Sequence, residues 1–179
     1  MKFCVYCGSG ENILPEYLLE ATKLGEQLAR HSIEVIYGGG ASGLMGALAR
    51  SVKANGGTII GIVPRQLDAE SVFDGLDKVY LVNSYYERKN LMYQLADAFL
   101  VLPGGPGTLE EFIEHITWLH RGQKPKPVHL INSLDYWRPF LEMLGKMHLE
   151  GFVSQIVLSK FQLHAKVDDA IATCLSDYH

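Results

Sequence analysis

Short apolar runs rich in β-branched residues alternate with amphipathic stretches along most of the chain. Apolar runs of this length are typical of buried strands, and apolar positions three or four residues apart are typical of helices. The pattern predicts strands at Lys2–Tyr6, Glu34–Tyr37, Thr58–Val63, Lys78–Val82, Ala98–Leu102 and Pro127–Ile131, and a short last strand at Val157 and Leu158. It predicts helices from Pro15, over Gly43–Lys53 and Tyr85–Leu95, from Thr108 through Leu119 to Gly122, and over Tyr136–His148 and Val167–Leu175, with a surface loop at 64–76.

Strands that alternate with helices are typical of right-handed βαβ units. We therefore expect an α/β fold, a doubly wound parallel sheet with helices on both faces. A length of 179 residues suits one domain, so we expect residues 1–179 to form a single domain. Such sheets bind ligands beyond the carboxyl ends of their strands. Three of the predicted strands end there in glycine clusters, which is the most informative feature of the sequence.

The composition narrows the possible functions. Sixteen basic and twenty acidic residues give a net charge of −4, which is unfavourable for a surface that must neutralise nucleic-acid phosphates. The longest apolar runs are far shorter than the ~20 residues that cross a bilayer. Met1 and Lys2 lead directly into the first predicted strand, so we expect no signal peptide. We expect neither nucleic acid nor a membrane as partner.

The cysteines and histidines add little chemistry. Cys4, Cys7 and Cys174 are an odd number, which does not suit a disulfide framework and indicates the reducing cytoplasm. His115 and His120 are five residues apart on one predicted helix and do not share a face, so no zinc site is expected. We also expect no cofactor.

Five of the nine residues from Gly38 to Gly46 are glycine. A turn of this kind between strand and helix lets backbone N–H groups approach an anion, and the helix N-terminus adds partial positive charge. A tight turn with positive φ would explain one or two of the glycines, but not five. The run is neither a dinucleotide fingerprint, since it follows the second strand, nor a P-loop, since Gly-Lys-Ser/Thr is missing.

The sharper signal is the run Pro103-Gly104-Gly105-Pro106-Gly107-Thr108-Leu109-Glu110-Glu111. Its glycines and the Thr108 hydroxyl could hold a phosphate at the start of the next helix. Glu111, about one turn further on, could then hold ribose hydroxyls, orient water or stabilise positive charge on a sugar. Alternatively, Thr108 is the N-cap and Glu111 completes a capping box. The residues alone leave these two interpretations even.

Arg88 and Lys89 belong to the predicted helix Tyr85–Leu95, which precedes the predicted strand Ala98–Leu102. Arg88 could pair with Glu111 or with a phosphate, for which its planar guanidinium is suited. An exposed, charged helix start is the ordinary alternative. Tyr85 and Tyr86, on the same helix, could line a pocket or pack at an interface.

With these residues in place, the chain resembles the LOG family of phosphoribohydrolases, which are often labelled lysine decarboxylases. The family signature, proline-glycine-glycine-any-glycine-threonine-any-any-glutamate, is complete from Pro103 to Glu111. The loop from Gly38 to Gly46 matches through its Gly-Leu-Met-Gly ending, and Glu87-Arg88-Lys89 falls at the corresponding place. Further similarity extends to Glu150-Gly151-Phe152, so the resemblance covers nearly the whole chain.

The resemblance implies a Rossmann-like fold and a homodimer with its sites near the dimer interface. It implies hydrolysis of the N-glycosidic bond of a nucleoside 5′-monophosphate, AMP or an N6-substituted AMP (a cytokinin nucleotide), to free base and ribose 5-phosphate. By position, it implies that Arg88 and Glu111 are the catalytic pair. The substrate-binding residues that it implies are Gly8, Ser9, Gly39, Gly43, Met45, Lys89, Gly104, Gly105, Gly107 and Thr108.

The chain departs from the family pattern at two positions. Pro106 occupies the free position of the signature and has no N–H to donate to a phosphate. Gly10 stands where relatives commonly have a second serine. Glu70 is a candidate match for an acidic residue of a variable loop.

Two other functions compete with nucleotide hydrolysis. Lysine decarboxylation needs pyridoxal phosphate on a Schiff-base lysine within a much larger architecture, and the glycine loops contain no lysine. A nucleotide-binding sensor or carrier without turnover would use the same phosphate-binding loops. The presence of both Arg88 and Glu111 favours an enzyme over the sensor.

Overall fold

The computed structural model describes residues 1–118 and 126–176, and its centre is a seven-stranded parallel sheet. The strands are β1 (Lys2–Tyr6), β2 (Glu34–Tyr37), β3 (Ile59–Pro64), β4 (Lys78–Val82), β5 (Ala98–Val101), β6 (Val128–Ile131) and β7 (Gln162–His164). The helices are α1 (Pro15–Arg30), α2 (Gly43–Ala54), α3 (Tyr85–Leu95), α4 (Pro106–Trp118), α5 (Arg138–Leu149), α6 (Gln155–Leu158) and α7 (Val167–Ser176). The predicted α/β fold class is confirmed.

The strand order is β4-β3-β2-β1-β5-β6-β7, and every pairing between neighbours is parallel. The chain builds one half of the sheet outward from β1 to β4 and then returns to place β5 on the other side of β1. A sheet that reverses in this way leaves a crevice at the carboxyl ends of the two central strands. The loops that follow β1 and β5 therefore meet at that crevice.

The period of two along the strands divides the core between the two faces of the sheet. Phe3 and Val5 of β1 pack with α1, α2 and α7, whereas Cys4 and Tyr6 pack with α3 and α4 on the other face. All four residues of β5 are buried, as expected for a central strand that is covered on both sides. The central strands are therefore fixed from both faces, which gives the crevice a rigid floor.

Helix α4 begins at Pro106, two residues before the predicted start. Proline suits the first helical position because its φ is already helical and its missing N–H would have no partner there. Thr108 therefore lies inside the first turn, where it is buried, and it is not the N-cap that the capping-box interpretation requires. The predicted helix end at Gly122, together with Leu119 and His120, lies outside the described residues.

The C-terminal part of the chain differs from the prediction in two places. Val157 and Leu158 are in the short helix α6 and not in a strand. The last strand is β7, which forms backbone hydrogen bonds with β6. Its sequence, Gln162–His164, is too short and too mixed in polarity for its pattern to predict a strand. Before α5, the chain makes a 3₁₀ turn at Ser133–Asp135, so the helix begins at Arg138 and not at Tyr136.

The expected surface loop at 64–76 is more ordered than its composition indicated. Pro64 is the last residue of β3, and Ala69–Ser71 form a 3₁₀ turn. Gly40 and Val72 form an antiparallel bridge, which ties this segment to the second glycine loop. Among the described residues, no helix is both long enough and apolar enough to cross a membrane.

The contact between α1 and α2 depends on a glycine, which provides a test of the fold. A Cβ on Gly25 would lie 2.8 Å from the Leu48 carbonyl oxygen and 2.8 Å from the Ser51 Cβ. We expect Gly25→Leu to lower the free energy of unfolding by about 1–3 kcal/mol, because neither neighbour can move without shifting a helix. Urea denaturation should show a lower midpoint with an unchanged slope.

Gly145→Ala in α5 is the matched control, because a Cβ there would have no neighbour within 4 Å. This change should leave the protein as stable as before or raise its stability by up to about 1 kcal/mol. Equal midpoints for the Gly25 variant and the parent would show that α1 and α2 do not need this close approach.

Candidate active site

A crevice of about 800 Å³ opens beyond the carboxyl ends of β1, β2 and β5. The loops that follow these three strands all contribute to its lining, together with the starts of α3 and α4. Of the twelve site residues expected from the sequence, ten line this crevice. The other two, Gly39 and Gly43, are not among the lining residues.

The loop before α4 combines close packing with open space. A Cβ on Gly104 would lie 2.2 Å from the Thr108 hydroxyl oxygen and 2.9 Å from the Gly8 nitrogen, so only glycine fits there. A Cβ on Gly105 or Gly107 would have no neighbour within 4 Å. The backbone is thus exposed toward the crevice at these two residues. The first N–H groups of a helix have no intrahelical acceptor, so the start of α4 is suited to an anion.

The second glycine loop, from Gly38 to Gly46, makes hydrogen bonds to the loop that follows β1. The backbone N–H groups of Leu44 and Met45 both donate to the Gly8 carbonyl oxygen, at 2.9 and 3.3 Å. The Ser42 hydroxyl donates to the Ser9 carbonyl oxygen at 2.9 Å. Because these donors at the start of α2 are already used within the protein, this helix supports the first loop and leaves α4 as the better anion site.

Gly39 and Gly43 are glycines because of their backbone and their neighbours. Gly39 has a φ of +84°, and a Cβ on it would lie 2.5 Å from Val63 Cγ2. Gly43 has a φ of +55°, and a Cβ on it would lie 2.5 Å from the Gly10 carbonyl oxygen. Left-handed backbone and close contacts both require glycine. The two residues therefore shape the loops, and neither is among the residues that line the crevice.

Arg88 and Glu111 face each other in the crevice. The Nη2 atom of Arg88 is 3.9 Å from the Oε1 atom of Glu111, and each side chain is 14% exposed. Burial raises the pKa of Glu111 from 4.5 to about 7, although the charge of Arg88 acts in the opposite direction. Near neutral pH this carboxyl group therefore exists in both protonation states, as is common for groups that exchange protons or stabilise charge at active sites.

The floor below Glu111 carries no compensating charge. Burial raises the pKa of both the Cys4 and the Cys7 thiol, and burial likewise raises the pKa of the Tyr6 hydroxyl. All three groups are therefore neutral at physiological pH. Arg88 is consequently the principal positive charge that acts on Glu111.

Lys89 lines the crevice, but its ammonium group is already bound. Its Nζ atom is 2.7 Å from Glu110 Oε1 and 2.7 Å from Glu114 Oε2. Burial lowers the pKa of Lys89, but the hydrogen bonds to Glu110 and Glu114 outweigh it and leave the pKa above its ordinary value. The charged lysine thus ties α3 to α4 on either side of Glu111.

The sequence analysis missed the aromatic residues that support the glycine loop before α4. The Tyr136 hydroxyl donates to the Gly104 carbonyl oxygen at 2.7 Å, and the Tyr17 ring packs edge-on against Tyr136. Tyr136 follows β6, so its place at the carboxyl edge of a predicted strand was the available signal. Of the two tyrosines singled out on α3, Tyr85 lines the crevice, whereas Tyr86 is 68% exposed and lies outside it.

Comparison with known proteins adds close relatives. Residues 45–174 match the family described as "Possible lysine decarboxylase". The chain is 37% identical over 174 residues to the cytokinin riboside 5′-monophosphate phosphoribohydrolase of Rhodococcoides fascians, a match that covers 96% of this chain and 88% of that protein. It is 40% identical over 155 residues to the cytokinin riboside 5′-monophosphate phosphoribohydrolase LOG of Oryza sativa subsp. japonica. That match covers 86% of this chain and 64% of the rice protein.

The fold also has a solved counterpart. The molybdenum cofactor carrier protein MCP from Chlamydomonas reinhardtii superposes with a TM-score of 0.74 over 98% of this chain and 96% of that one. The two sequences are 24% identical. The similarity shows a shared architecture.

The raised pKa of Glu111 predicts a pH-dependent cost in stability. Because the folded protein binds this proton more tightly than the unfolded chain, the free energy of unfolding falls as pH rises from about 4.5 to about 7 and stays lowered above that range. Glu111→Gln removes the titration. At pH 8 we expect the variant to be more stable than the parent by about 2–3 kcal/mol, and the difference should shrink toward pH 5.

Urea denaturation at pH 5 and pH 8 measures this difference. Glu142→Gln, at a side chain that is 71% exposed, controls for the loss of one negative charge. A Glu111→Gln effect that is equal at both pH values would show that burial does not perturb this carboxyl group.

Proposed function

Because the chain belongs to the LOG family, we propose that it is a nucleoside 5′-monophosphate phosphoribohydrolase. The reaction is hydrolysis of the N-glycosidic bond of AMP or an N6-substituted AMP, which yields the free base and ribose 5-phosphate. The observation that carries the proposal is the placement of the Arg88–Glu111 pair in the same crevice as the open N-terminus of α4. The names of the relatives from Rhodococcoides fascians and rice support the same reaction.

The electrostatics of the crevice favour one phosphate group over several. Its charged lining residues are Arg88, Lys89, Glu110 and Glu111, whose formal charges cancel. Lys89 is bound to two carboxylates, and Arg88 faces a third. The phosphate therefore binds to the backbone amides at the start of α4, including those of Gly107 and Thr108. No further cation among the described lining residues is placed to neutralise a second phosphate.

The proposed chemistry passes through a ribosyl cation. The bond between ribose C1′ and the base nitrogen breaks, its electron pair leaves with the base, and C1′ becomes oxocarbenium-like. Glu111 holds the ribose hydroxyls and stabilises this positive charge or aligns water. Arg88 orients Glu111 and helps the leaving base accept charge. The water oxygen then bonds to C1′, and a proton is transferred to the base.

We also propose that the protein acts as a homodimer in the cytoplasm. The side chains of Tyr85 and Tyr86 on α3, and those of Val79 and Leu81 on the edge strand β4, are exposed and provide apolar surface. A partner subunit would cover this surface. Cys4, Cys7 and Cys174 are free thiols, which suits a reducing compartment.

The residues of the crevice do not fit lysine decarboxylation. Pyridoxal phosphate requires a lysine amine that can form a Schiff base. Lys89 is the lysine among the described lining residues, and its hydrogen bonds to Glu110 and Glu114 keep it protonated. A protonated ammonium is not a nucleophile, so the family description does not match the chemistry of this site.

The central test is release of base from purified protein. AMP, N6-prenylated AMP, ADP and adenosine are incubated with the protein, and free base is measured by chromatography. We expect release from one or both monophosphates and not from ADP or adenosine. Arg88→Ala and Glu111→Ala should each lower release at least about 100-fold, because each removes a charge that acts in the transition state.

Arg138→Ala and Glu142→Ala are matched controls, since both side chains are exposed on α5 and lie outside the lining. They should keep normal turnover. Tight binding of AMP without release of base would favour the sensor or carrier. Near-normal turnover in either the Arg88 or the Glu111 variant would remove that residue from the mechanism.

Lys89 offers a separate test of how the site is held together. If its ammonium group holds α4 in place, Lys89→Met should lower kcat about tenfold with little change in KM for AMP, because the substrate phosphate never contacts it. A large rise in KM with normal kcat would mean instead that Lys89 binds the substrate, as the family resemblance implied.

A further inference from the structure

Gly38, the residue directly after β2, lies against the guanidinium group of Arg88. A Cβ on Gly38 would be 1.7 Å from Arg88 Nη2 and 2.8 Å from Arg88 Cζ. The φ of Gly38 is outside the left-handed region, so the backbone conformation does not demand glycine here. The reason for glycine is therefore space, and the group that fills the space is the guanidinium.

Shape, more than hydrogen bonding, holds this guanidinium. Among the described residues, the buried Nε atom of Arg88 has no hydrogen-bond partner. The distance of 3.9 Å from Nη2 to Glu111 is too long for a hydrogen bond. The guanidinium lies over the Tyr85 ring, with Cζ 5.7 Å from the ring centroid. Contact with Gly38 therefore limits where the positive charge of Arg88 can lie.

We propose that Gly38 is a positioning residue for N-glycosidic bond cleavage, because the absence of its side chain forms the slot that sets Arg88 against Glu111. This inference rests on the proposed function of the site. A side chain at position 38 would fill the slot. The guanidinium would have to withdraw by about 2 Å to reach ordinary van der Waals distance.

The withdrawal would leave the fold intact. The three atoms nearest to a Cβ would belong to the tips of Arg88 and Met45, which are flexible side chains that line the crevice. We therefore expect the backbone around Gly38 to keep its position. The damage should therefore fall on catalysis, where a misplacement of about 1 Å can cost about 100-fold in rate.

Gly38→Ala tests the proposal through kinetics with AMP or its N6-prenylated form. We expect kcat to fall about 100-fold and KM to stay within about threefold, because the phosphate site at α4 is untouched. The melting temperature should stay within a few degrees of the parent. Gly145→Ala, which has open space around its Cβ, should keep normal kinetics.

Gly40→Ala separates Arg88 from Met45. Its Cβ would meet Met45 Sδ at 3.0 Å, and no atom of Arg88 would lie closer than 3.6 Å, so its loss of kcat should be much smaller than that of Gly38→Ala. The decisive comparison is Gly38→Ala in an Arg88→Lys background. If Gly38 acts through Arg88, the second change should cost less than about threefold, whereas an independent structural effect would again cost about 100-fold.

A crystal structure of Gly38→Ala gives a readout that does not depend on turnover. The guanidinium should be displaced from Gly38 and farther from Glu111 than in the parent. If the parent protein releases no base, the proposed function fails, and the crystal structure alone decides whether Gly38 sets the position of Arg88. An unmoved guanidinium, a normal kcat in Gly38→Ala, or full additivity with Arg88→Lys would each overturn the inference.

Discussion

Burying the ionised carboxyl group of Glu111 costs free energy, and the interactions around it offset only part of that cost. The carboxyl lies above neutral thiols and a neutral tyrosine, and the nearest positive charge is 3.9 Å away. A structural ion pair would be closer and would carry hydrogen bonds. Lys89 pairs with Glu110 and Glu114, and its positive charge reduces the electrostatic repulsion between these two carboxylates and Glu111. The arrangement leaves one carboxyl group short of stabilisation, which a substrate that becomes cationic would supply.

The glycines of the three loops serve three distinct needs. Gly104 lets the loops after β1 and β5 touch, and Gly43 lets α2 approach the first loop. Gly105 exposes backbone to open space, where an anion fits. Gly38 makes room for a side chain of the protein itself. The sequence shows only that glycine is abundant, whereas the nearest atom to each missing Cβ distinguishes packing from binding and from positioning.

The parts of the structure that were predictable are those fixed by local pattern. Alternation of buried runs and amphipathic stretches predicted the class of fold, and glycines at strand ends predicted the edge where the crevice lies. The predicted start of α4 at Thr108 was wrong because it relied on the capping-box pattern. The helix begins at Pro106, since the fixed φ of proline suits the first helical position. The last strand was missed because β7 is defined by its pairing with β6. The partners of Lys89 come from a helix 21 and 25 positions on, a relation that no local pattern contains.

The division of labour in the crevice explains how one architecture can serve both binding and catalysis. Exposed amides at a helix start belong to the backbone, so any chain that folds this way can offer them to a phosphate. A carrier such as the Chlamydomonas protein shares the architecture, and the architecture alone does not distinguish the two uses. Catalysis needs in addition a carboxyl group held at the edge of ionisation and a cation placed near it. In the mechanism that we propose, those requirements fall on two side chains from different helices, Arg88 of α3 and Glu111 of α4. On that proposal, the backbone of the fold binds the phosphate, and the reaction rate depends on the contacts that fix those two side chains relative to each other.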